Sequence, residues 1–79
     1  MSIRFTISSV FEEVAVEQQS TLSPLTDDLK LLQAGLDSLS FAQIVARLED
    51  ALGFDPFETV DSLPVTFGDF VGLYERHAS

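Results

Sequence analysis

Few side chains in this sequence can do chemistry on their own. There is no cysteine and a single histidine, His77. That excludes a disulfide framework and a thiolate metal site, and a single histidine argues against zinc chemistry. No Asp-x-Asp-x-Asp-Gly run with a terminal Glu is present, so an EF-hand is excluded as well. Asp27-Asp28 reads as a solvated turn pair, not a catalytic dyad. The serine best placed for chemistry is Ser38. Asp37 before it can cap a helix whose first residue is Ser38, leaving its hydroxyl exposed at the helix start. A hydrolase would need a base beside that serine, and none is offered, because His77 falls near the chain end, expected to be disordered.

The elements that position Ser38 follow from apolar spacing and start signals. Ile3, Ile7, Val10, Phe11 and Val14 fall on one face of a 3.6-residue period, predicting a helix over 3–19. Ser9-x-x-Glu12 is a competing start inside it. Ser20 to Pro24 breaks the helix, and the connection to Gly35 is long, pinned to the core by Leu22, Leu25, Leu29, Leu31 and Leu32. A second helix, 38–52, turns Phe41, Ile44, Val45, Leu48 and Leu52 inward, with Leu36 and Phe41 as a hydrophobic staple. Its other face carries Leu39, Ala42, Gln43, Ala46, Glu49 and Asp50. Asp55-Pro56-Phe57-Glu58 starts a short third helix near 56–62, limited by Pro64. Thr66 and Asp69 form a capping box for a last helix, 66–77, with Val65 and Phe70 as staple partners. Phe54, Phe57, Phe67, Phe70 and Tyr74 read as core aromatics. No segment alternates long enough for a strand. The expected fold is all-α: a small four-helix bundle of three longer antiparallel helices and one short one.

Length and charge bound the rest. The 79 residues make one domain, 1–79, with 46 % hydrophobic residues, ordinary for a folded chain. Thirteen acids against four bases give a net charge of −9. That opposes binding to nucleic acid or anionic lipid, and favours basic surfaces of protein partners. No apolar run is long enough to span a membrane, and the start lacks a signal peptide's apolar core. A cytoplasmic monomer is expected.

Gly35-Leu36-Asp37-Ser38-Leu39 resembles the Gly-x-Asp-Ser-Leu signature of acyl carrier proteins. A helix and a long loop precede it, a helix opens on it, and the chain ends about 40 residues later, so the resemblance covers essentially the whole sequence. It implies that Ser38 carries 4′-phosphopantetheine, placed there from coenzyme A by a phosphopantetheinyl transferase. The arm's thiol would hold an acyl group as a thioester, for fatty-acid, polyketide or other specialised biosynthesis. The chain would be a non-catalytic carrier, serving an acyl-loading ligase or transferase and acyl-consuming enzymes. A helix-start hydroxyl suits this role, because a phosphodiester there meets free N–H groups and the positive end of the helix dipole.

Asp37 and Leu39 flank the attachment point. Leu39, Ala42 and Ala46 are expected to centre a docking face, with Asp37, Glu49, Asp50, Glu58 and Asp61 as its acidic rim. The sequence departs from the well-known fatty-acid carriers at Ser40 and Gln43, where acids are usual, and Arg47 adds a positive charge to the same helix. These departures argue for a dedicated carrier with its own ligase. Two other readings compete. One is an interaction module that is never modified, in which Ser38 is a plain helix-start serine. The other is an aminoacyl or peptidyl carrier, a class that more often shows Gly-Gly-x-Ser.

Overall fold

Ser2 opens the first helix. In the computed structural model, which describes residues 2–58 and 64–78, its side chain accepts from the Phe5 N–H (3.3 Å), and α1 runs over Ile3–Glu17. The competing start at Ser9 is not used, because the apolar stripe is already helical from Ile3 and buries Ile7, Val10, Phe11 and Val14. The helix stops two residues short of the expected end. Gln19 adopts a left-handed conformation (φ 57°), and a Schellman turn closes there, Ser20 N–H to Ala15 O (2.8 Å) and Gln19 N–H to Val16 O (3.1 Å).

The long connection is held at several points. Ser23 donates to Ala34 O from its N–H (3.0 Å) and to Gln33 O from its hydroxyl (3.1 Å). Farther along, Leu31 N–H donates to Val65 O and Phe67 N–H to Leu29 O, around an isolated antiparallel bridge between Lys30 and Thr66. Asp27 pairs with Arg4 (2.7 Å), and its carbonyl accepts from the Gly68 N–H (3.0 Å). Asp27 and Asp28 are exposed, as a turn pair should be. Leu22, Leu25 and Leu29 pack on the core, and Leu31 is buried. Leu32 does not join them and is 96 % exposed. Leu31–Gln33 forms a 3₁₀ turn, and three residues per turn leave room for only one of its leucines to face inward.

Helix α2 spans Ser38–Leu52 and ends on Gly53 in the left-handed region. Beyond it, Asp55 accepts from the Phe57 N–H (2.9 Å) and starts a 3₁₀ turn, Pro56–Glu58. The short third helix expected near 56–62 is seen only as this turn, and 59–63 lie outside the described residues. Helix α3 spans Phe67–Ala78, opened by the expected capping box: Asp69 N–H donates to Thr66 Oγ1 (3.1 Å) and Thr66 N–H to Asp69 Oδ2 (3.3 Å). Val65 stays 62 % exposed, so the staple to Phe70 contributes little. The described residues are therefore all-helical, with three α-helices, and contain no strand beyond the bridge.

Phe11 is the hub of the core. Its ring meets Phe41, Phe67 and Phe70 edge-on at centroid distances of 5.9, 5.3 and 5.4 Å. A second aromatic group joins Phe70, Phe57, Tyr74 and Phe54. The aromatics read as core all lie here, with Phe54 and Phe57 only half-buried, as are Phe41, Val45 and Leu52 on α2. Tyr74 is fully buried, and its hydroxyl has no hydrogen-bond partner among the described residues. Burial pushes the phenol pKa up, helped by the Asp55 and Glu49 carboxylates. Because an unsatisfied buried hydroxyl is costly, Tyr74→Phe is expected to raise unfolding stability by about 1 kcal/mol. Urea melts of the two proteins check this, and a loss of similar size would mean that the hydroxyl is bonded.

Candidate functional site

The site is built on the first turn of α2. The Asp37 carboxylate accepts from the Ser40 N–H (2.8 Å), and the Asp37 carbonyl accepts from Phe41 N–H (3.1 Å). The Ser40 backbone bond, seconded by the Ser40 hydroxyl, holds the Asp37 carboxyl below the usual aspartate pKa. With those two donors used, the N–H groups of Ser38 and Leu39 have no hydrogen-bond partner among the described residues, at the positive end of the helix. Ser38 itself is exposed. Ser40, two residues on, is 1 % exposed, since two steps of a helix rotate a side chain by about 200°. An exposed hydroxyl beside free N–H donors fits an attached phosphodiester.

The single histidine of the chain is placed away from Ser38. Helix α3 continues through the expected disordered end, and His77 stacks on Phe54 (5.0 Å) just past the other end of α2. The length of α2, about 20 Å, separates that point from Ser38.

Leu39, Ala42, Ala46, Glu49 and Asp50 are all exposed and share one face of α2 with Ser38 at its head. Leu39 alone is 61 % exposed. Gln43 and Arg47 lie on the flank toward α1. Gln18 donates to Gln43 Oε1 (3.2 Å), and the Arg47 guanidinium grips Glu17 with both outer nitrogens, one at 2.8 Å, with Glu13 at 3.8 Å. The Arg47 hydrogen bond lowers the Glu17 pKa. The positive charge read onto this helix is thus matched by α1 acids, and does not offset Glu49 and Asp50. Likewise Ser40, counted among the departures at docking positions, is a core residue.

Glu58 is exposed, and Asp61 lies outside the described residues. Asp55, read from sequence only as a cap, comes together with two rim acids. Carboxylate oxygens of Glu49, Asp55 and Glu58 lie within 4.8 Å of one another. They concentrate negative potential at the far end of the α2 face, and they are the described side chains whose carboxylates converge closely enough to hold a cation, although no metal was expected. The turn at Gly53 creates this meeting.

A family model for the phosphopantetheine attachment site matches residues 6–62, a span that holds most of α1, the connecting loop and all of α2. The chain belongs to that family. Neither a curated protein nor a solved structure was found to match it. Members carry covalently attached 4′-phosphopantetheine, and this chain is a phosphopantetheine-carrying protein. Such carrier domains are generally non-catalytic and work with phosphopantetheinyl transferases and acyl-handling enzymes. No described helix is long and apolar enough to cross a membrane.

Proposed function

We propose that Ser38 is the attachment residue and that the protein presents an acyl thioester to partner enzymes through the exposed face of α2. The observation that carries this reading is the contrast between the two neighbouring serines. Ser38 is open to another protein's active site, whereas Ser40 is 1 % exposed. The bound arm would supply the thiol that this cysteine-free chain lacks. The chain's own contribution is position: Asp37 holds the first turn, and the Ser38 and Leu39 N–H groups face the phosphodiester oxygens. Full-length protein incubated with coenzyme A, Mg²⁺ and a broad-specificity transferase should gain one phosphopantetheine by intact mass. Ser38→Ala should abolish the gain and Ser40→Ala should keep it. A parent protein that gains nothing would instead support an unmodified interaction module.

The same exposed face supports a docking role. Leu39, Ala42 and Ala46 would give a low-relief apolar centre, with Asp37, Glu49, Asp50 and Glu58 as its rim. Ala46→Glu should raise the dissociation rate from the transferase with folding intact, because that side chain points away from the core. Charge reversal at Glu49 or Asp50 should slow association about threefold and flatten its salt dependence, since rim charges steer encounter more than they hold the complex. Stopped-flow binding at two salt concentrations separates the two. Equal binding by Ala46→Glu and the parent would move the docking face elsewhere.

A further inference from the structure

Resting on the carrier reading above, we propose that the cargo on Ser38 stays outside the bundle and is a short or polar acyl group, aminoacyl units included, and not a long alkyl chain. A long chain exposes hydrocarbon to water, so a carrier gains from taking it inside only where the interior can open. Among the described residues the interior is filled by rings in mutual contact. Phe11 meets Phe41, Phe67 and Phe70, while Phe70 meets Tyr74 at 5.1 Å and Phe57 at 5.8 Å. Ile7, Val14, Ile44, Leu48 and Val71 fill the space around them with no exposure at all. A chain pushed in must displace several rigid rings together and forfeit their edge contacts. Adaptable side chains that could flow around it are missing, for the single methionine of the chain is Met1.

Polarity points the same way. The Tyr74 hydroxyl, already without a partner among the described residues, would be pressed against hydrocarbon. The residue that α2 turns into the core immediately after its attachment turn opens is Ser40, another hydroxyl. The leucines nearest Ser38 in the chain that are free to meet a ligand, Leu39 and Leu32, are 61 % and 96 % exposed. They offer an outer surface.

The test loads the full chain from coenzyme A, butyryl-coenzyme A and octanoyl-coenzyme A with the broad-specificity transferase. Intact mass scores attachment first, then each product is melted and its amide and methyl NMR spectra are recorded. The proposal expects the three melting temperatures to agree within about 2 °C, with shifts confined to residues 36–42. A buried octanoyl chain would instead raise melting by about 10 °C or more over butyryl. That rise, with shifts at Ile44, Leu48, Phe70 and Tyr74, would overturn the proposal while leaving the carrier reading intact. Failure to gain mass would overturn the carrier reading and the proposal with it.

Discussion

Phe11→Ala is expected to cost about 3–5 kcal/mol, the largest loss from any single side chain in this protein. The ring is fully buried and meets rings of both α2, through Phe41, and the start of α3, through Phe67 and Phe70. Truncation removes the burial of the ring and opens a cavity where three edge-to-face contacts converge. Those neighbours are rings as well, and rings relax poorly into a void. A chain of 79 residues has roughly 8 kcal/mol of stability in total, so about half would be lost. Melting should fall by about 20 °C. Phe41→Ala, at a half-buried ring with a single aromatic contact to Phe11, should cost about half as much. Calorimetry on both variants decides the matter. Equal losses would mean that α1 is not the centre of the core. The site would feel the change too, since the first turn of α2 rests on Phe11 through Phe41.

The starts of α2, of the 3₁₀ turn after it and of α3 were legible because caps are local chemistry. Asp37, Asp55 and the Thr66–Asp69 pair each bond within three residues, so type and spacing suffice to find them. The end of α1 was harder to see. Its stop lies at Gln19, a residue with no preference for the left-handed region, and the nearest strong breaker is Pro24. Leu31 and Leu32 are identical letters, and only the phase of a 3₁₀ turn decides which is buried. That phase is set by the bridge to Thr66, far away in the chain.

The face of α2 divided in the same way. Its apolar centre at Leu39, Ala42 and Ala46 follows from 3.6-residue periodicity, and so does the burial of Ser40, had its angle been taken over its letter. The charge balance around that face did not follow. Whether Arg47 meets partners or α1 depends on how two helices 30 residues apart are paired, and the convergence of Asp55 with Glu49 and Glu58 depends on a turn. Electrostatics at a surface is tertiary information, and a single helical wheel cannot supply it.

Gly35→Ala should be the most damaging substitution outside the core, at about 3 kcal/mol or more. Two costs combine at this position. The backbone sits at φ 96°, which an alanine adopts only under strain, and an added Cβ would lie 2.3 Å from the Thr21 carbonyl oxygen. The carbonyl cannot easily retreat, because Ser23 beside it is bonded to Ala34 and Gln33. The glycine of the Gly-Leu-Asp-Ser-Leu run is therefore the point where the long loop crosses the backbone that leads into the site. Gly53→Ala separates the two costs: its φ is 85°, but nothing lies within 4 Å of the new Cβ, so only backbone strain of about 1 kcal/mol applies. Denaturant melts of both variants should show the larger loss at Gly35. Where enough Gly35→Ala remains folded, its modification by the transferase should also slow, because relief of the clash moves Leu36 and Asp37 and loosens the cap before Ser38. Equal losses at the two glycines would show that the loop yields freely. In that case the contact between Thr21 and Gly35 does not hold the site in place.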